Sequence, residues 1–281
     1  MIEKILLADS GTGNSQEMLR ALMEIPSIQR ASVTVLHVVP EQVTSEAMSQ
    51  RWEDGGKLLG KAVESLKLDP NRVSAILRQG DPKDVVLKVA DEMDADLIIM
   101  GSRGLKRLVS ILENSVSQYV FQLTSRPMLL VKDDIYVRNL SRITVAIDKS
   151  EAAKQGLKLA LFLLRDIKGG QLNLVNVSSD PKATDKTGAE AEKDAVFAGA
   201  IADAKRLGIN YRCIVTRGKA GEAICRAAED VKTDLLILGS PDRRPSIAKG
   251  LPDLDRLLGT SLSDYVRVYA NCPVLLTRTM G

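Results

Sequence analysis

The apolar positions of this chain fall into two kinds of segment. Short runs rich in Val, Ile and Leu, such as IEKILLAD, ASVTVLHVV, VSAILRQG and ADLIIMGS, lack strict two-residue alternation. Between them lie stretches with apolar residues at helical spacing, such as SQEMLRALM and DVVLKVADEMD. A run that is apolar throughout is a strand covered on both faces. Strands of this kind alternating with helices predict parallel βαβ units joined by right-handed crossovers.

The pattern is written twice. SRITVAID follows the plan of IEKILLAD and matches Asp148 to Asp9 at an offset of 139. GQLNLVNVS matches ASVTVLHVV, YRCIVTRG matches VSAILRQG, and TDLLILGS matches ADLIIMGS, with Gly101 and Gly239 at an offset of 138. The halves close with SVSQYVFQLTSRPMLLVK and SLSDYVRVYANCPVLLTR, where Pro127 and Pro273 stand 146 apart. A repeat of this length predicts two α/β domains, 1–134 and 141–281, joined by the polar stretch 133–142. Each is expected to be a doubly wound parallel sheet of about five strands, Rossmann-like or flavodoxin-like. The linker is short, so the halves should pack together.

Composition narrows the function. Lys+Arg number 39 against 36 Asp+Glu, a net charge of +3, and aromatic residues make up 3%. Neither a basic footprint nor a base-stacking surface is present, which argues against a nucleic-acid partner. No apolar window reaches the ~18 residues of a membrane span, and the MIEKILLADS start reads as a strand rather than a signal peptide. The three cysteines, Cys213, Cys225 and Cys272, form no CxxC and suggest small buried residues in a reducing cytoplasm. The single histidine, His37, rules out a histidine-rich metal site and reads as a packed or strand-end residue. Trp52 is expected to pack at the edge of the segment after strand 2, and SSDPKATDKTGAEAEKDAV to be a mobile loop.

Ligands of doubly wound sheets sit at the carboxyl ends of the strands, so the candidate chemistry follows strands 1 and 4. Strand 4 runs into Gly101-Ser102-Arg103-Gly104, and nine residues later come Asn114, Ser115, Val116 and Ser117. Two readings are open. One is a phosphate loop: glycines admit the ligand, unpaired N–H groups at a helix start favour anions, and Arg103 with the two serine hydroxyls adds ligands. The other is a glycine turn followed by an ordinary helix cap. In the second half Gly239, Gly250 and Ser261 survive, but Pro241–Ala248 is inserted in the turn and Thr260 replaces Asn114. That site is either degenerate or remade for another anion with Arg243 and Arg244. A further turn, Ser10-Gly11-Thr12-Gly13-Asn14-Ser15, resembles the phosphate loop of flavodoxins, but the second half has no counterpart. No tuned catalytic base, Ser/His/Asp set or Lys-[Ser/Thr] Walker ending is visible.

The segments ILLAD, LHVV, GDP, ADLIIMGSRG, NSVSQYV and SRPMLLV together resemble the universal stress protein family, once per half over nearly the whole chain. The ATP-binding branch of that family carries G-x2-G-x9-G-[ST]. Gly101, Gly104 and Ser115 match it, with Asn114 at the third glycine. The resemblance implies an ATP- or AMP-binding stress-response regulator, with or without Mg2+, that hydrolyses ATP slowly at most. It implies that Asp9, and Asp148 by repetition, meets the nucleoside and that the backbone near Val38 meets adenine. It implies pairing of the last strands across a pseudo-twofold, an intramolecular dimer, with an unidentified protein partner and homodimerisation left open. Alternatives are a structural or partner-binding protein with vestigial sites, a weak ATPase, and a flavin carrier.

Overall fold

A computed structural model describes residues 2–102, 115–135, 139–180, 182–240 and 261–278. The first half comprises β1 (Lys4–Ala8), α1 (Ser15–Met23), β2 (Ser32–Val39), α2 (Ser45–Leu66), β3 (Val73–Gln79), α3 (Pro82–Glu92), β4 (Leu97–Ser102), α4 (Val116–Leu123) and β5 (Met128–Lys132). The second comprises β6 (Arg142–Ala146), α5 (Glu151–Leu164), β7 (Gln171–Val177), β8 (Lys186–Thr187), α6 (Ala198–Arg206), β9 (Asn210–Thr216), α7 (Ala220–Asp230), β10 (Leu235–Gly239), α8 (Leu262–Tyr269) and β11 (Val274–Thr277). The helix starts carry recognisable caps. Thr44 Oγ1 accepts from Ala47 N–H before α2, Asp81 accepts from Lys83 N–H with Pro82 in the first turn of α3, and Ser150 Oγ accepts from Ala153 N–H before α5.

The eleven strands among the described residues form one sheet in the order β3-β2-β1-β4-β5-β11-β10-β6-β7-β9-β8. Within each half the main strands are parallel, in the 3-2-1-4-5 order of the Rossmann type rather than the 2-1-3-4-5 order of flavodoxin. The apolar runs are covered on both faces, as their composition requires. One core layer joins α1, α2, α5 and α6 to the sheet, with Leu7, Ile99, Val145 and Ile237 at its centre. The other joins α3, α4, α7 and α8, around Leu6, Ile98, Leu236 and Leu238. β3 departs from the pattern because it is an edge strand, so Ser74, Ala75, Arg78 and Gln79 face solvent.

The halves meet through β5 and β11, which pair antiparallel. Leu129 stands opposite its own repeat equivalent, Leu275, while Met128–Leu276 and Leu130–Val274 exchange roles. The pseudo-twofold therefore passes through the Leu129–Leu275 pair. The equivalent cations Lys132 and Arg278 cross it in opposite directions. Lys132 Nζ donates to the Val268 carbonyl at 3.1 Å, in the last turn of α8. Arg278 donates to the Phe121 carbonyl in the last turn of α4 and lies 4.0 Å over the Phe121 ring. Both place positive charge at a helix C-terminus, where the carbonyl dipoles favour it.

Two sequence expectations change. Residues 182–197 carry secondary structure rather than forming a mobile loop: Lys186 and Thr187 pair antiparallel with β9, and two short 3-10 turns bury Ala191 and Phe197. The polar composition of 178–196 masks one anchoring apolar residue, Ala191, and the next anchor, Phe197, follows directly after it. Trp52, expected at the edge of the segment after strand 2, lies in α2 and is 43% exposed. The strand register also shifts the repeat. Leu7 pairs with Ile99 as Val145 pairs with Ile237, both at an offset of 138, so Asp9 corresponds to Ile147, and Ser10 to Asp148.

Candidate functional site

A cleft of about 640 Å³ opens at the carboxyl ends of β1, β2 and β4 in the first half. That size is typical of small-molecule sites, ~300–1,000 Å³. Its floor is apolar (Ala8, Leu36, Val86 and Met100), and Leu58 of α2 closes one side. Among the sequence candidates the fold brings Asp9, Val38, Gly101, Ser115, Val116 and Ser117 to this cleft. Arg103, Gly104 and Asn114 lie outside the described residues.

One end of the cleft is built for an anion. Ser115 occupies the cap position of α4, yet its side chain caps no N–H group of the helix; it shares a 2.9 Å hydrogen bond with Ser117 Oγ instead. The first N–H groups of α4 are thus left without a side-chain acceptor, a standard anion-binding arrangement. Ser102 Oγ, at the end of β4, is buried without a hydrogen-bond partner among the described residues. Among the described residues, a Cβ on Gly101 would meet only the Thr12 carbonyl oxygen, at 3.7 Å.

The other end presents backbone. Asp9 N–H donates to the Leu36 carbonyl at 2.9 Å, and Gly80 N–H donates to the Val39 carbonyl at 3.1 Å. Alternation along a parallel ladder then turns the Val38 N–H and C=O toward the side of β1, beyond the point where β1 ends. These are a donor and an acceptor side by side, suited to the edge of a planar heterocycle. His37 reaches the same rim. Its Nδ1 lies 2.8 Å from the Asp9 carbonyl, which can only accept, so Nδ1 carries the proton. The strand-end reading of His37 holds, but the residue also lines the cleft.

Asp9 is 4% exposed, and its contacts brace the rim. Oδ1 accepts from Gly11 N–H at 3.1 Å, and Oδ2 accepts from Gln16 Nε2 at 2.7 Å. Gln16 in turn accepts from Ser65 of α2 at 2.6 Å. The turn Ser10–Asn14 thereby stands off from the strands, with Gly11 and Gly13 at φ of 78° and 88°. At Gly11 a Cβ would also meet the tip of the Leu58 side chain at 2.2 Å, which can move aside, so it is the φ that calls for glycine.

The second half is built otherwise. Its strand-to-helix turn, residues 147–150, is shorter than residues 9–14, and α5 packs directly on the end of β10. A Cβ on Gly239 would lie 2.4 Å from Ala153 N, so this glycine serves helix–strand contact. Asp148 is exposed and accepts from Ser150 N–H at 2.8 Å. Ser261 caps α8, accepting from Asp264 N–H at 3.2 Å. Gly250, Thr260 and the Pro241–Ala248 insertion with Arg243 and Arg244 lie outside the described residues.

The remaining chemistry is quiet. Burial pushes the thiols of Cys213 and Cys225 up to about 11 and that of Cys272 up to about 12, so they are protonated at neutral pH. Among the described residues no group of His, Cys, Asp and Glu could hold a metal ion, and no helix is long and apolar enough to cross a membrane. Sequence reasoning missed Leu58 and Ser102. Nothing in a sequence shows which turn of α2 overhangs the cleft. The repeated Gly-Ser of IIMGS and LILGS was a signal for Ser102.

Comparison with known proteins agrees with this architecture. The model of the universal stress protein family matches residues 1–132 and again 139–278. Universal stress protein YxiE of Bacillus subtilis is 30% identical over 148 residues, spanning 47% of this chain and all of that protein (100%). A universal stress protein of Thermus aquaticus is 32% identical over 139 residues, again 47% of this chain and 100% of the relative. The crystal structure of a universal stress protein from Archaeoglobus fulgidus shares the fold of the whole chain, with a TM-score of 0.77 at 23% identity, covering 98% of this chain and 96% of that one. With two matches that together span nearly its full length, the chain belongs to the universal stress protein family.

Proposed function

We propose that the first-half cleft binds an adenine nucleotide, ATP or AMP, and that the chain works as a nucleotide-responsive binding module. The observation that carries this reading is the union of a helix start with no side-chain cap, two serine hydroxyls and a buried Ser102 Oγ without a partner among the described residues, at one end of the cleft. Phosphates would lie against Ser115, Ser117 and the first N–H groups of α4. The base would lie on Leu36, Val86 and Met100, with its edge against the Val38 backbone. Asp9 holds the rim through Gly11 and Gln16 rather than through the ligand. Family membership supports the reading, because Gly101, Gly104 and Ser115 match the motif of the ATP-binding branch.

Isothermal titration of the intact chain with ATP, with and without Mg2+, tests it. Saturable binding is expected from the wild type and its loss from Gly101→Val, whose side chain would project into the cleft. Absence of heat from the wild type, or equal binding by a folded Gly101→Val variant, would contradict it.

A further inference from the structure

The second half repeats the serines of the anion site and adds a charge. At an offset of 146, Ser115, Ser117, Gln118 and Phe121 correspond to Ser261, Ser263, Asp264 and Arg267. We infer that Asp264 fills, with this chain's own carboxylate, the place where the second half would otherwise take a phosphate, so that the chain holds one nucleotide and holds it in the first half. The inference rests on the nucleotide reading proposed above.

Asp264 is 3% exposed, at the third position of α8. Its Oδ2 accepts from Ser261 Oγ at 2.8 Å, and its Oδ1 accepts from Arg267 Nη2 at 3.3 Å. Arg267, 5% exposed, keeps the carboxylate paired inside the protein. The neighbouring hydroxyls are consumed as well. Ser240 Oγ donates to Ser263 Oγ at 3.1 Å, and Ser263 Oγ lies 3.0 Å from Ser261 Oγ. Arg278 donates to the Ser240 carbonyl and hydroxyl at 3.1 and 3.3 Å. Ser102, the first-half counterpart of Ser240, has no such partner among the described residues.

A phosphate arriving at Ser261 would compete with Asp264 for the same hydroxyl and would stand beside a second anion. Like charges brought together out of water are strongly unfavourable. The cation beside Asp264 is already committed to it. In the first half the corresponding residues, Gln118 and Phe121, carry no charge, so the helix start itself sets no carboxylate against Ser115. The two halves thus use the same serines for opposite ends: one leaves them open to a ligand, and the other closes them on an internal ion pair.

The test is equilibrium dialysis of the intact chain with labelled ATP at saturation, together with Gln118→Asp, which copies the second-half carboxylate into the first half. One nucleotide per chain is expected from the wild type. Gln118→Asp is expected to weaken binding at least about 30-fold, while the neutral control Gln118→Asn stays within about threefold. Should Gln118→Asp fail to fold by circular dichroism, Gln118→Glu provides the same charge, and the wild-type count stands on its own. Two nucleotides per chain, or wild-type affinity in a folded Gln118→Asp variant, would overturn the inference while leaving the first-half reading intact. No bound nucleotide at all would overturn both.

Discussion

The ends of β4 and β10 make the instructive comparison. Both strands close on Gly-Ser, at the end of β4 and just past the end of β10, and both are followed across the sheet by a helix with a serine at its cap position and another serine two residues on. Among the described residues, at β4 the glycine meets little, no side chain caps the helix start and a buried hydroxyl lacks a partner. At β10 the glycine touches the backbone of α5, the helix is capped, and the hydroxyls are tied into a network ending on Asp264 and Arg267. The residues most easily read as a motif are common to both. What separates a receptive site from a closed one is what the neighbours leave unpaired.

The comparison can be broken first where the halves are alike. Leu129 and Leu275 face each other on the pseudo-twofold and are 1% and 2% exposed. Leu129→Ala and Leu275→Ala should each cost ~2–5 kcal/mol in denaturant unfolding, and by similar amounts. A large difference between them would mean that the join is not symmetric in energy. The next test separates the two glycines. Gly239→Ala forces a Cβ against the Ala152–Ala153 backbone and should destabilise by ~3 kcal/mol, with ATP affinity of the folded chain unchanged. Gly101→Ala should leave stability within ~1 kcal/mol, because among the described residues only one atom lies near the new methyl group.

A pH experiment sharpens the contrast between equivalent aspartates at the starts of β4 and β10. Asp96 Oδ2 accepts from the Glu3 and Lys4 N–H groups at 2.7 and 2.9 Å. Asp234 makes the matching bonds to Ser141 and Arg142 and adds the Arg142 guanidinium at 2.9 Å. Burial by itself would raise the Asp234 pKa, but the Arg142 and Ser141 hydrogen bonds outweigh it and hold the carboxyl below its usual range. A depressed folded pKa gives stability that is present above the unfolded value, ~3.9, and is lost as the pH falls through the folded one. Asp234→Asn should therefore cost ~1–3 kcal/mol at pH 7 and converge with the wild type in strong acid, whereas Asp96→Asn should cost less. The smallest effect concerns the serines. Ser117→Ala should weaken ATP binding by ~1 kcal/mol, about fivefold, whereas Ser263→Ala should leave ATP affinity alone and lower stability by a similar amount.

Much of this was legible in the sequence. The apolar runs forecast the parallel sheet, and the repeat forecast two copies of it, because burial on both faces leaves a composition that can be read directly. Pairing of the last strands followed from the family resemblance. The cleft was legible only in part. Gly101, Ser115 and Ser117 could be found by spacing, but the open space before Gly101 depends on a turn held away by Asp9, Gln16 and Ser65, a contact between distant segments. The match of Asp9 to Asp148 failed for a similar reason. Identity of residue type suggested one register, whereas hydrogen bonding across the sheet imposed another, which places Ile147 at the position of Asp9. Asp264 passed unnoticed because an acidic residue in the first turn of a helix is commonplace. Only its burial and its bonds to Ser261 and Arg267 make it distinctive.

The central claim, that the first half holds a nucleotide by its phosphates at the start of α4, is tested most directly by a crystal structure of the chain grown with ATP. Density for a phosphate chain against Ser115, Ser117 and Ser102, with the base beside Val38 and none at α8, is the predicted result. Nucleotide density only at α8, or an empty first-half cleft at saturating ATP, would contradict it.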